Sequence, residues 1–187
     1  SEIYRRGVFI NRAFEELVLT SPAMIRDIHA SYIKAGADVI TTNSFGGNPI
    51  RMKEFGLDER TEEMNRTAVL LAKEEAGDRA FVAASIGPIG HRLAPVGRIS
   101  PGEAFRAFQT QASALEAAEP DLFILETFYD ERELWQAVRA VRTVSKRPVV
   151  ACLSFPPRRG EPPEGAAEAL IRVSGWPIDV VGTNCAA

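Results

Sequence analysis

Five short apolar segments alternate with amphipathic helical segments along the chain, and this alternation constrains the fold more than any other feature. The apolar segments lie near residues 38, 81, 122, 149 and 179. Strands that are apolar nearly throughout are typical of a parallel sheet whose face is covered by helices. The sequence therefore predicts an α/β protein with at least this many parallel strands.

Local signals mark where several of the intervening helices begin and end. Ser21 and Pro22 suit the cap and the first position of one helix, and Ser100 with Glu103 forms a capping-box pattern before another. Gly77 follows a further helical segment, at the place where a glycine commonly ends a helix. These signals support the alternation of strands and helices.

Each predicted strand ends in polar residues. These are Thr41-Thr42-Asn43, Ser85, Glu126-Thr127, Ser154 and Thr183-Asn184-Cys185. A (β/α) barrel gathers its active site at the carboxyl ends of its strands, so the pattern favours that fold. A doubly wound open sheet is the alternative, but no glycine-rich dinucleotide turn follows a first strand.

The length of the chain bears on how much of a barrel it can form. An eight-stranded barrel usually takes roughly 250 residues, and this chain has 187. Five strands would leave two open edges, which soluble proteins avoid. We expect residues 1–187 to form a single barrel domain that is incomplete at both ends. The proline-rich segment at 155–165 is expected to be an exposed loop.

Composition excludes several classes of partner. A formal net charge of -3 gives no electrostatic reason to expect nucleic acid or an anionic membrane as a partner. No apolar run approaches the roughly 20 residues that span a bilayer, and the first residues lack the apolar core of a signal peptide. Cys152 and Cys185, the two cysteines, do not make a disulfide framework. We expect a cytoplasmic protein that binds neither nucleic acid nor membrane.

Four motifs, taken together and in order, carry a family resemblance. They are ADVITTNSFGGN, SIGPIG, LETF and GTNCA, each at a predicted strand end. With them the chain resembles the homocysteine S-methyltransferase family, which includes the homocysteine-binding module of cobalamin-dependent methionine synthase. Other members fuse this module to methylenetetrahydrofolate reductase. The resemblance covers essentially the whole chain and implies a (β/α)8 TIM-type barrel, of which this chain would cover roughly strands 2–6.

The resemblance also implies a zinc site. Family members hold Zn²⁺ with three cysteines, and Cys185 resembles the first of them, whereas the adjacent pair of cysteines is not present in this sequence. Zinc deprotonates a bound thiol, and a catalytic zinc keeps an open position that the homocysteine sulfur would fill. In-line methyl transfer then needs no covalent protein intermediate, and no catalytic residue is assigned. The alternative for Cys185 is a core cysteine, which is the preferred interpretation for Cys152.

Further candidate residues would bind the substrate. Glu126 corresponds to a family glutamate that takes the substrate ammonium, although a salt bridge to a basic residue of the barrel is an alternative. Thr42, Asn43 and Asn184 could bind the substrate carboxylate or orient the loops that carry metal ligands, but they could equally satisfy backbone groups at strand ends. We expect Ser85 to contribute to the shape of a tight turn.

Neither of the two histidines is predicted to bind a metal. His29 lies inside a predicted helix, near its polar border, and is expected to be solvated. His91 lies in a loop at the expected barrel mouth, where it would contact the methyl donor or remain a solvated loop residue.

The predicted function is zinc-dependent methylation of homocysteine to give methionine. The donor is expected to be methyltetrahydrofolate or methylcobalamin, because SIGPIGHRLAPVG resembles the methionine synthase-like branch; S-methylmethionine and betaine are alternatives. Cobalamin and folate would be carried by other modules of a longer parent protein. Two other classes stay open: a non-catalytic or degenerate barrel that only binds a ligand, and a lyase or aldolase, which would want a lysine at a strand end.

Overall fold

The computed structural model describes residues 2–9, 12–155 and 165–185. The strands in this part of the chain are β1 (Val39–Thr41), β2 (Phe81–Ile86), β3 (Leu122–Phe128), β4 (Val149–Leu153) and β5 (Val180–Thr183). The α-helices are α1 (Glu2–Arg5), α2 (Leu17–Thr20), α3 (Pro22–Lys34), α4 (Pro49–Lys53), α5 (Thr61–Ala76), α6 (Pro101–Glu116), α7 (Glu131–Val144) and α8 (Ala166–Ser174). Short 3₁₀ turns cover Phe14–Glu16 and Asp58–Arg60.

The five strands form one parallel sheet in the order β1-β2-β3-β4-β5. Each strand therefore pairs with the next strand along the chain, and helices connect them. A barrel builds its sheet in this sequential order, whereas a doubly wound sheet reverses direction at a switch point. The observed order agrees with the predicted barrel and excludes the doubly wound alternative for the described strands.

Helices cover one face of the sheet and form the main core with it. Val82, Ala84 and Ile86 of β2 point into this core, together with Phe108 of α6 and Val138 of α7. The rings of Phe108 and Phe128 lie 5.9 Å apart between centroids. Alternate residues of each strand supply this face, as the two-residue period of a strand requires.

The other sheet face is open in the described part of the chain. Val39, Phe81 and Val180 point toward it and are 46%, 62% and 52% exposed. Because side chains alternate along a strand, the same face receives Ser85 of β2 and Glu126 of β3 near the carboxyl ends of their strands. This is the face that a closed barrel would turn inward.

The predicted helix boundaries are largely confirmed. Ser100 and Glu103 form the complete capping box at the start of α6, and Gly77, with φ +50°, ends α5. Pro22 is the first residue of α3, but the predicted side-chain cap by Ser21 is wrong, because the Ser21 side chain makes no capping hydrogen bond. Ser21 also ends α2, and its backbone N–H donates to the Leu17 carbonyl.

An irregularity in the pairing of β3 with β4 shapes the sheet edge at which the polar residues meet. The register shifts between Leu125 and Phe128, and Thr127 within this interval has φ +66°. A bulge re-aims the side chains around it, here those of Glu126 and Thr127.

Two further findings bear on the sequence predictions. The proline-rich loop at 155–165 falls mostly on residues 156–164, which lie outside the described residues. Among the helices that the structure does describe, none combines the length and the apolar character needed to cross a membrane.

Candidate functional site

Glu126 places a carboxylate on the open sheet face at the carboxyl end of β3. Its Oε1 accepts a hydrogen bond from Ser85 Oγ at 2.6 Å, and its Oε2 lies 3.4 Å from Asn184 Nδ2. The side chain is half-buried. Within the described ranges, no Lys, Arg or His lies within 4.0 Å of this carboxylate. The salt bridge that was the alternative interpretation of Glu126 is therefore not formed by these residues.

A cluster of buried hydroxyl groups fixes Ser85 beneath Glu126. Ser85 N–H donates to Thr42 Oγ1 at 3.0 Å, and Ser44 Oγ donates to the Ser85 carbonyl at 2.7 Å. Thr42 Oγ1 and Ser44 Oγ are 2.6 Å apart. Since the single hydroxyl proton of Ser44 is used on the Ser85 carbonyl, Thr42 donates to Ser44. The Ser85 hydroxyl is thereby held in position to donate to Glu126.

Asn184 connects the end of β5 to the end of β3. Its Oδ1 accepts from the Thr127 N–H at 2.8 Å, and its Nδ2 donates to Thr127 Oγ1 at 2.8 Å. The backbone carbonyl of Asn184 accepts from Ser154 Oγ at 2.6 Å, which ties the arrangement to β4 as well. Three strand ends are therefore held together by one asparagine.

Cys185 presents an exposed sulfur beside this arrangement. Its Sγ lies 3.8 Å from Thr127 Oγ1 and 3.8 Å from Asn184 Nδ2. Both groups can donate a hydrogen bond to the sulfur. The backbone at Cys185 has φ +50°, an uncommon conformation for a residue with a side chain. The structure thus brings Glu126, Asn184 and Cys185 together, as the sequence predicted.

Thr42 and Asn43 are placed differently from these three residues. Thr42 is 4% exposed and its hydroxyl is used inside the buried cluster. Asn43 Nδ2 donates to the Phe14 carbonyl at 2.7 Å. Both contacts satisfy backbone or hydroxyl groups near the end of β1, which was the alternative interpretation for these residues.

Cys152 is a buried free thiol in the middle of β4, and Cys185 is also free. Burial raises the pKa of the Cys152 thiol, and the negative charge of Glu126 raises that pKa further. Cys152 faces the same side of the sheet as Glu126, because Val150 pairs with Ile124 and side chains alternate along each strand. The raised pKa disfavours the thiolate form, which is the form that binds a metal.

The described residues supply one suitable zinc ligand, Cys185. Catalytic zinc usually takes three protein ligands, and Cys185 offers one thiol with an accessible sulfur. Among the residues that the structure describes, no group of three or more His, Cys, Asp or Glu side chains could hold a metal ion. These residues do not hold the ion by themselves, so no step of the reaction is derived through it.

A large cleft adjoins the site above the carboxyl ends of β1–β4. Its volume is about 1150 Å³, and Thr127 and Ser154 of the site line it. On its wall, Asp130 caps α7 by accepting from the Arg132 N–H at 2.8 Å. Glu133 is 6% exposed and accepts from the Ile89 N–H at 2.7 Å. Burial raises the pKa of the Glu133 carboxyl to about 7.

The environment predicted from the sequence agrees with the structure for His91 but not for His29. His91 is a partly exposed loop residue whose Nε2 lies 3.1 Å from Glu54 Oε1. The prediction that His29 is solvated is wrong: His29 is 5% exposed, and its Nε2 has no hydrogen-bond partner among the described residues. Burial lowers the pKa of His29 to about 4. The side chain lines a cavity of about 340 Å³ between α3 and β1, away from Glu126.

A sequence profile of the family described as homocysteine S-methyltransferase matches residues 3–187. The chain belongs to the homocysteine S-methyltransferase family. It is accordingly a methyltransferase that acts on the thiol of homocysteine, and the resemblance that the four motifs carry is confirmed.

Solved structures of homocysteine methyltransferase MmuM from Escherichia coli share the fold. The metallated form matches with a TM-score of 0.81 and 22% identity, over 98% of this chain and 71% of that chain. The apo form matches with a TM-score of 0.75 and 22% identity, over 100% of this chain and 69% of that chain. The predicted TIM-type barrel is confirmed, and the described sheet is part of such a barrel.

Two features of this methyltransferase site were missed from the sequence. Ser85 is a hydrogen-bond donor to Glu126 in addition to a turn residue. Thr127 received no role, yet both Asn184 and Cys185 contact it. The position of Thr127 directly after Glu126 at a strand end was the available signal for its proximity to the site.

Proposed function

We propose that homocysteine binds with its ammonium group on Glu126 and its sulfur beside Cys185. The observation that carries this proposal is the half-buried Glu126 carboxylate, which has no basic partner in the described part of the chain. A charge in such a place is costly unless a cation meets it. The substrate ammonium is a cation of the right size, and the accessible Cys185 sulfur marks the reacting end of the site.

Cys185 would serve as one ligand of a catalytic zinc, with its other ligands outside the described residues. Support comes from its exposed sulfur and from the two donors, Thr127 Oγ1 and Asn184 Nδ2, that face it. When bound, zinc supplies deprotonation of the substrate thiol. The chain's own residues orient the substrate, since Asn184 contacts both Thr127 and Glu126.

The methyl donor would approach through the cleft that Thr127 and Ser154 line. The segment SIGPIGHRLAPVG, which favours a methyltetrahydrofolate- or methylcobalamin-linked reaction, supplies Pro88, Leu93 and Val96 to the wall of this cleft. Cobalamin or folate would be carried by further domains of a longer protein. The free thiols of Cys152 and Cys185 agree with a cytoplasmic location.

Homocysteine affinity in a carboxylate-to-amide variant tests the ammonium contact. Glu126→Gln should raise the homocysteine Kd by about 10- to 100-fold, because a hydrogen bond to a charged group contributes about 1.5–3 kcal/mol. Glu168→Gln, on the exposed surface of α8, is the matched control and should leave Kd unchanged. Isothermal titration calorimetry measures both. Equal affinities of wild type and Glu126→Gln would contradict the proposal.

A further inference from the structure

The cleft beside the homocysteine site is far larger than one small amino acid requires. It measures about 1150 Å³ and shares Thr127 and Ser154 with the site. Ligand clefts of 300–1,000 Å³ commonly hold drug-sized molecules. The cleft formed by the described residues therefore extends beyond the homocysteine site, and the charges on its wall indicate what a second substrate there would carry.

Arg51 of α4 lines this cleft and forms no ion pair with a described residue. Its guanidinium lies 5.7 Å from the centroid of the Phe45 ring. No carboxylate lies within 4.0 Å of it among the described residues. The Glu15 carboxylate lies nearby: its Oε1 accepts from the Gly46 N–H at 2.6 Å, and a Cβ on Gly46 would lie 2.8 Å from both this oxygen and Arg51 Nε.

Gly46 makes the space that the Arg51 side chain occupies. A Cβ on Gly46 would lie 2.8 Å from Arg51 Nε, closer than such atoms approach, whereas a Cβ on Gly90 would lie at an ordinary contact distance of 3.8 Å from Arg51 Cδ. The side chain is thus packed between the Phe45 ring and Gly46, and Arg51 is among the residues that line the cleft. This packing lowers the entropy cost of a bound anion, because the arginine is already ordered.

Among the described residues that line the cleft are four arginines and three carboxylates. Arg132 is paired with Asp130 at 2.8 Å and Arg172 with Glu131 at 2.6 Å. Arg92, like Arg51, has no ion pair with a described residue. The carboxyl of Glu133 has its pKa raised to about 7 by burial, so its negative charge is incomplete at neutral pH.

We propose that this cleft binds a carboxylate of the methyl donor, with Arg51 as the principal contact and Arg92 as a second positive charge. The inference rests on the proposed function and deepens it, because among the donors considered there it selects those that carry a carboxylate and bind in this cleft, over methylcobalamin, whose corrin side chains are amides. Both an amino-acid sulfonium such as S-methylmethionine and a folate with a glutamate tail carry that group. Arginine suits the role, since its planar fork binds a carboxylate through two parallel hydrogen bonds.

Equilibrium binding of each donor to the protein tests the proposal without relying on turnover. Calorimetric titrations with S-methylmethionine and, separately, with methyltetrahydrofolate distinguish the two sources of the carboxylate. For the donor that binds, Arg51→Gln should raise Kd by at least about tenfold, and Arg51→Lys by less, because charge-assisted hydrogen bonds are lost fully or in part. Arg66→Gln, on the exposed surface of α5, is the matched control.

The homocysteine Kd separates this inference from the proposed function. Arg51→Gln should leave the homocysteine Kd within about twofold of wild type, and its thermal unfolding shows whether it is folded. An unchanged donor Kd in Arg51→Gln, equal losses for donor and homocysteine, or no binding of either donor would overturn the inference. Insensitivity of the homocysteine Kd to Glu126→Gln would instead overturn the proposed function.

Discussion

The side-chain amide of Asn184 holds Thr127 through both of its polar atoms, at 2.8 Å to the backbone N–H and 2.8 Å to Oγ1. Thr127 has φ +66°, a conformation that costs about 1–2 kcal/mol for a residue with a β-carbon. The two hydrogen bonds offset that cost. The shape of the β3 end, and with it the direction of Glu126, therefore depends on a residue that directly follows β5.

Replacing Asn184 by alanine should lower the free energy of unfolding by about 1–3 kcal/mol, because two partly buried hydrogen bonds are lost. The homocysteine Kd should rise as well, since Thr127 and Glu126 would no longer be held in place. Urea denaturation and calorimetric titration measure the two effects.

Thr127→Gly provides the control for this variant. Glycine adopts a positive φ without strain, so Asn184→Ala should cost less stability in the Thr127→Gly background than in wild type. Equal costs in the two backgrounds would show that the amide does not stabilise the left-handed conformation.

Removing the Ser85 hydroxyl should weaken homocysteine binding about three- to tenfold, because Glu126 Oε1 loses its 2.6 Å donor and its fixed direction. Calorimetric titration of Ser85→Ala measures the change. Ser113→Ala, an exposed serine of α6, should have no effect. A Ser85→Ala protein that binds homocysteine as tightly as wild type would show that Glu126 is positioned by other contacts.

The buried His29 should make the protein less stable in mild acid. Its pKa is about 4 in the folded state and about 6.5 when unfolded, so the unfolded state takes up the proton first as pH falls. The stability contributed by neutral His29 is lost between about pH 6.5 and pH 4 and amounts to about 3 kcal/mol at most.

Urea denaturation of wild type and His29→Leu across this pH range measures that effect. The variant should lose less stability on acidification than wild type, whereas His91→Gln, which keeps His29, should follow wild type. Parallel pH profiles for wild type and His29→Leu would contradict the assigned burial of the neutral imidazole.

Glu133 should have the opposite dependence on pH. Its pKa is raised from 4.5 to about 7 in the folded protein, so the folded state retains the proton longer as pH rises. The stability contributed by the protonated carboxyl is present below about pH 4.5 and is lost as pH rises through 7. Glu133→Gln keeps an acceptor for Ile89 N–H and does not titrate.

The Glu133→Gln variant should therefore be more stable than wild type at pH 8, by about 1–3 kcal/mol, and nearly equal to it at pH 5. Denaturation at the two pH values measures the difference. Glu131→Gln, on the same helix, should show no such gain at pH 8. A stability difference that is independent of pH would contradict the raised pKa.

The strands, their order and the proximity of Glu126 to Cys185 were predictable because they follow from general rules. Strands covered by helices leave apolar runs in the sequence, and the carboxyl ends of neighbouring parallel strands must meet. Asn184 and Cys185 follow β5 directly, so their position at this edge could be predicted from the strand assignment alone.

Other features depend on contacts that no local pattern records. The hydrogen bond from Ser85 to Glu126 arises from the register of β2 with β3, in which Ser85 pairs with Ile124. The left-handed Thr127 arises from the irregular pairing of β3 with β4. His29 is buried because α3 packs beside β1, although its helical position resembles a polar border.

The central claim is that Cys185 is a zinc ligand next to the homocysteine site. The most direct measurement is the zinc content of purified Cys185→Ser compared with Cys152→Ser and wild type, with circular dichroism to establish that each protein is folded. We predict that zinc is lost from Cys185→Ser and retained by Cys152→Ser, whose thiol is buried and neutral. Full zinc occupancy in folded Cys185→Ser would contradict the account.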